Sequence, residues 1–88
     1  MKVYNVVVNV MEDGNSSYSE VRSFKSFESA LKCLRSEYDY VLTHFAYDEC
    51  DIKDFDEDID NEIAWFDLEI YQWNIYGGGS IFVCEIED

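Results

Sequence analysis

From Val3 to Met11 the chain alternates, with Tyr4, Val6, Val8 and Val10 on one side and Asn5 and Asn9 on the other. A period of two is the signature of a half-buried strand. Residues 12–17, EDGNSS, form a turn by composition, and Tyr18 to Lys25 returns as a second strand. Ser26 then supplies an N-cap for a helix in which Phe27, Ala30, Leu31, Leu34, Tyr38, Val41, Leu42 and Phe45 recur at spacings of three and four. The positions from Phe27 to Phe45 would span roughly 28 Å as a helix, enough to lie across a small sheet as the lid of its core.

Residues 48–62, DECDIKDFDEDIDNE, break both periods and read as an acidic loop. After it, Ala64, Phe66, Leu68 and Ile70 alternate with Trp65, Asp67, Glu69, Tyr71 and Trp73 as a half-buried strand. Gly77-Gly78-Gly79 is the next turn signal. Ile81 to Glu87 returns as a strand with Phe82, Cys84 and Ile86 inward and Val83, Glu85 and Glu87 outward. The order is ββαββ, which predicts an α+β fold: a four-stranded antiparallel sheet with one helix packed on one face, in a single domain over 1–88. If the glycine turn pairs Ile75 with Ile81, the face away from the helix sets Trp73 beside Val83, Tyr71 beside Glu85 and Glu69 beside Glu87.

Composition makes that open face the point of interest. Residues 48–62 hold nine carboxylates and one lysine, and the whole chain has twenty acids against six bases, a formal charge of −14. Such a charge exceeds what solubility asks of a small domain and opposes folding by self-repulsion. With 48% hydrophobic residues and 17% aromatics, the chain still has the apolar bulk to fold, so it is not a disordered acidic tail. A surface this negative repels nucleic acid and anionic membrane and attracts grooves lined with Lys and Arg, whose natural owners are nucleic-acid-binding proteins. Asp56, Asp58, Asp60 and Glu62 in an extended stretch would fall on one side about 6.6 Å apart, roughly two phosphate rises along a DNA strand. Trp65, Tyr71 and Trp73 would serve as aromatic anchors among carboxylates, or else form a second small core under the loop. The expected partner-binding set is Asp51, Asp54, Asp56, Glu57, Asp58, Asp60, Glu62, Trp65, Asp67, Glu69, Tyr71, Trp73 and Glu85.

In size, charge and layout the chain resembles the small acidic inhibitors carried by phages, including anti-CRISPR proteins and other nucleic-acid mimics. It also resembles acidic immunity proteins that neutralise nucleases. The resemblance implies a non-enzymatic protein that blocks the basic surface of a nucleic-acid-binding partner, in the host cytoplasm if phage-encoded; monomer and homodimer are both open. It implies no cofactor, no direct nucleic-acid contact and no membrane contact.

Other chemistries find less support in the residues. Residues 56–67 place Asp56, Asp58 and Asp60 at positions 1, 3 and 5 of a calcium loop and Asp67 at position 12, which keeps a calcium-binding module as a further alternative. Asn61 stands where the turn glycine belongs, and a strand pattern follows where a helix is required. His44 is the single histidine and has no triad near it in the sequence; GGGS at 77–80 lacks the lysine of a phosphate-binding loop. Cys33, Cys50 and Cys84 are odd in number and widely spaced, consistent with reduced thiols in a reducing compartment. No residue is assigned a catalytic or metal-binding role.

Overall fold

The computed structural model describes residues 1–46 and 50–87. The side chain of Phe45, at the end of the helix stripe, and Asp48 and Glu49 of the acidic block lie outside the described residues. The fold is α+β, with one α-helix against an antiparallel sheet of five strands. The elements run β1 (Lys2–Glu12), β2 (Asn15–Phe24), α1 (Phe27–Val41), β3 (Ile52–Asp58), β4 (Ile63–Ile70) and β5 (Ile75–Glu85), and the sheet order is β2-β1-β5-β4-β3. The molecule measures 47 × 24 × 16 Å.

The alternation in β1 translates directly into burial: Tyr4, Val6, Val8 and Val10 are in the core, beneath α1. Ser26 caps the helix as expected, its hydroxyl accepting from the Ser29 backbone N–H at 3.2 Å. Phe27, Ala30, Leu31, Leu34 and Val41 face the sheet. The α-helix ends at Val41, and one π-helical turn, Leu42–Ala46, continues it, so the regular helix spans about 22 Å. Ala64, Phe66, Leu68 and Ile70 of β4 and Ile75 and Ile81 of β5 complete the core.

Four expectations are corrected. First, part of the acidic block is a strand: Ile52–Asp58 pairs with β4, with Phe55 opposite Phe66, making five strands in the order ββαβββ. Its single inward aromatic packs against Tyr38 and Phe66, with ring centroids 5.1 and 6.4 Å away, and fastens the strand to the helix side. Second, Gly77-Gly78-Gly79 is not a turn but the interior of β5. The chain reverses instead over Tyr71–Asn74, where Asn74 takes a left-handed φ of 53° and the Asp51 carboxylate accepts from the Tyr71 N–H at 2.7 Å.

Third, moving the turn changes the phase of β5. Ile81 points inward while Phe82 and Cys84 are exposed, and Ile86 lies beyond the strand, also exposed. Val83 and Glu85, expected to face outward, take the helix-side register opposite Tyr4 and Lys2, yet both are exposed at the end of the strand. Fourth, the cross-strand partners are Trp65 with Ser80, Asp67 with Gly78 and Glu69 with Tyr76, rather than Trp73 with Val83, Tyr71 with Glu85 and Glu69 with Glu87.

Candidate functional site

The register of five strands defines the face opposite the helix. One row runs Val21, Val7, Ser80, Trp65, Asp56 from β2 to β3, and the next runs Ser19, Asn9, Gly78, Asp67, Asp54. Asn5 and Phe82 flank these rows on one side; Met11, Tyr76, Glu69 and Ile52 lie on the other. The β1–β2 half is uncharged, and its polar groups pair with each other: Ser23 Oγ donates to Asn5 Oδ1 at 2.6 Å and Ser16 Oγ to Asn9 Oδ1 at 3.2 Å. The β3–β4 half is acidic, carrying Asp54, Asp56, Asp58, Asp67 and Glu69. Between the halves stand Trp65 and Phe82, 39% and 57% exposed.

Charge is segregated across the sheet. Lys2, Arg22 and Lys53 occupy register positions on the helix side, Lys32 and Arg35 are on α1, and Lys25 lies in the bend between β2 and α1. Among the described residues, none of the six bases is on the outer face, where every charged position is a carboxylate. The ion pairs follow the same division. Arg35 reaches Glu57 at 2.6 Å, Arg22 reaches Glu20 at 2.9 Å, and Lys2 reaches Glu62 at 3.6 Å. No ion pair among the described residues engages Asp54, Asp56 or Asp67, so their charge is left for solvent or a partner. Asp54 and Asp67 are direct cross-strand neighbours, a like-charge arrangement that weakens a sheet.

The expected set therefore divides. Asp54, Asp56, Asp58, Trp65, Asp67 and Glu69 come together on the outer face. Asp58 also accepts from the Asn61 side chain at 2.7 Å, holding the β3–β4 turn. Asp60 lies exposed in that turn, and Glu62 has a left-handed φ of 55° beside Lys2, so neither continues the line of Asp56 and Asp58. Glu62 also takes a hydrogen bond from Tyr4, which raises the tyrosine's pKa. Asp51 and Glu57 are occupied within the fold by the Tyr71 N–H and by Arg35. Glu85 meets the N-terminal ammonium at 3.3 Å.

Tyr71 and Trp73 are in the β4–β5 turn rather than on the strand, 57% and 42% exposed, so with Trp65 they form no second core. A hydrogen bond to Glu69 holds the Tyr71 hydroxyl above its usual pKa range. The outer face also holds Phe82, which the glycine turn read from the pattern points inward, and Tyr76, Val7 and Val21, which lie outside the expected set. The signal that finds them is the alternation of β1, whose outward Val7 sits between Val21 and Ser80.

Burial raises the pKa of the Cys33 and Cys50 thiols, away from the thiolate form a nucleophile requires. Residues 56–67 form the β3–β4 hairpin with Asp56 opposite Trp65, and no group of three or more His, Cys, Asp or Glu side chains among the described residues is placed to hold a metal ion. Among the same residues, no helix is long and apolar enough to cross a membrane. Comparisons with protein-family models, with curated proteins and with solved structures found no match to this chain.

Proposed function

We propose that the protein is a non-enzymatic inhibitor that lays the outer face of its sheet on the basic, nucleic-acid-binding surface of another protein and blocks it, in the manner of a phage anti-defence protein acting in the host cytoplasm. The observation that carries this reading is the segregation of charge: the outer face holds five carboxylates and no base, while all six bases lie on the helix side or beside it. Asp54, Asp56 and Asp58 repeat on one side of β3 about 6.6 Å apart, near two phosphate rises of a nucleic-acid strand. Trp65 and Phe82 beside them offer flat faces where the target would otherwise stack bases. Like-charge crowding at Asp54 and Asp67 opposes folding, which is understandable where the charge serves a partner.

The test is capture from a lysate of the cell in which the protein acts, using the immobilised chain and a D54N/D56N/D67N variant in parallel. Basic nucleic-acid-binding proteins should be retained by the natural chain alone and released by duplex DNA or RNA at constant ionic strength. Captured proteins that ignore the competing nucleic acid would overturn mimicry, and would instead fit an immunity-type protein for a basic partner.

A further inference from the structure

We infer that the outer face contains a receptor for one arginine side chain of the basic partner, in the depression above Gly78. The inference rests on the function proposed above and adds the group that is recognised. The depression is open to solvent, has a volume of about 400 Å³, and is bounded by Trp65, Phe82, Val7, Asn9 and Asp67. Its floor is the backbone of β5, where Gly78 lies between Asn9 and Asp67.

Gly78 and Gly79 differ in what they exclude. A Cβ on Gly79 would lie 2.5 Å from Phe66 Cε1 and 3.1 Å from Leu34 Cδ1, so the core requires glycine there. A Cβ on Gly78 would meet nothing closer than the Phe66 carbonyl oxygen at 3.4 Å and Asp67 Oδ1 at 3.9 Å, and Gly78 does not have a positive φ. Packing does not demand glycine at 78, and glycine weakens a strand interior. What its missing side chain leaves is the hollow itself, the arrangement expected where another molecule must approach the backbone closely.

The walls specify the visitor. Trp65 and Phe82 line it with exposed aromatic rings, and the face of such a ring attracts a cation, tryptophan's most strongly. Asp67 stands at the rim with Asp54 opposite it, and neither has an ion pair among the described residues. A guanidinium suits this site better than an ammonium. It is planar, stacks on aromatic rings, sheds water more readily and can bind a carboxylate through two parallel hydrogen bonds. A second copy of the chain is disfavoured at neutral pH, because its own outer face would bring five further carboxylates and no base. Nucleic acid itself is disfavoured by its phosphates.

The experiment titrates the natural chain with hexa-arginine and with hexa-lysine, which carry equal charge, at low salt. The readouts are the Gly78 amide and Trp65 indole N–H resonances, and the affinity of each peptide. Hexa-arginine should bind about two- to fivefold more tightly, the scale of a cation–π contact at a partly exposed site, with the largest shifts at those two groups. G78V fills the hollow and retains every carboxylate. It should abolish the preference and leave weaker, charge-driven binding that is equal for the two peptides. F82A, which removes an exposed wall, should act in the same direction and decides the matter if G78V does not fold.

Equal affinities in the natural chain, or an arginine preference that survives in either folded variant, would overturn the receptor while leaving the charge-driven inhibitor reading intact. Absence of binding by both peptides would remove both readings. Self-association that competes with peptide would assign the face to a second copy and overturn the inference.

Discussion

Asp54 on β3 lies directly across from Asp67 on β4, two carboxylates paired on a sheet face that has no basic side chain. Like charges at directly opposed positions destabilise an antiparallel pair. D54N should therefore make the isolated protein more stable, by at most about 1 kcal/mol, while weakening its attraction for a basic partner. Thermal unfolding at pH 7 checks the first half: the melting temperature should rise at low salt, and the gain should shrink as salt screens the pair. A lower melting temperature would mean that Asp54 makes a stabilising contact that outweighs the repulsion.

Charge and aromatic surface should affect different rate constants for the partner. Exposed carboxylates steer the encounter, whereas a desolvated anchor holds the complex together. The D54N/D56N/D58N variant should associate more slowly and lose much of its salt dependence, with a modest change in off-rate. W65A should dissociate faster and associate almost normally, at a cost of about 2 kcal/mol if Trp65 is a central anchor. Because Trp65 is 39% exposed, its removal should leave the domain folded. Surface-plasmon kinetics at two salt concentrations separate these effects; normal dissociation of W65A would exclude the ring as an anchor.

The glycine run yields a prediction about stability alone. In G79A the new methyl would collide with Phe66 and Leu34, both held in the closed core, and should cost about 1–3 kcal/mol. In G78A the methyl meets only ordinary contacts on the outer face, and the strand should be as stable as before or slightly more so. Urea unfolding of the two variants side by side is sufficient, and equal stabilities would contradict the difference in packing.

What could be read in the chain depended on how strongly each segment is dictated by one buried face. β1 has four apolar residues at perfect alternation, and α1 has Ser26 in front of a three-and-four stripe, so both were legible. β3 was hidden because an edge strand with one half-buried aromatic, Phe55, needs little apolar signal, and its carboxylates rank low in strand propensity. The β4–β5 turn was misplaced because three consecutive glycines are a stronger local turn signal than Tyr-Gln-Trp-Asn. Here the glycines answer a tertiary demand, the Phe66 ring over Gly79. That one displacement carried Phe82 to the outer face and Tyr71 and Trp73 off it. The acidic and aromatic character of the site was visible in the sequence; its membership depended on a register that alternation alone does not specify.

Tyr18 and Glu37 provide the last prediction. The Tyr18 hydroxyl on β2 donates to Glu37 Oε2 on α1 at 2.6 Å, and Glu37 is the one charged residue among the described residues buried with the core. Y18F removes the donor and leaves that side chain without it, which should cost about 1.5–3 kcal/mol at pH 7. Burial, and then the hydrogen bond to Glu37, raise the Tyr18 pKa above its ordinary value of 10.0. The folded state therefore holds this proton more tightly than the unfolded chain does. Its contribution is fully present below pH 10 and is lost as pH rises from there through the higher folded value. Tyr4, Tyr38 and Tyr71 are shifted in the same direction, so the pH dependence of the natural chain alone does not isolate Tyr18. The difference between the natural chain and Y18F does. It should stay level from pH 7 to pH 9 and narrow above pH 10 in urea unfolding, and a gap that persists undiminished at pH 11 would show that the hydroxyl proton is not what ties β2 to the helix.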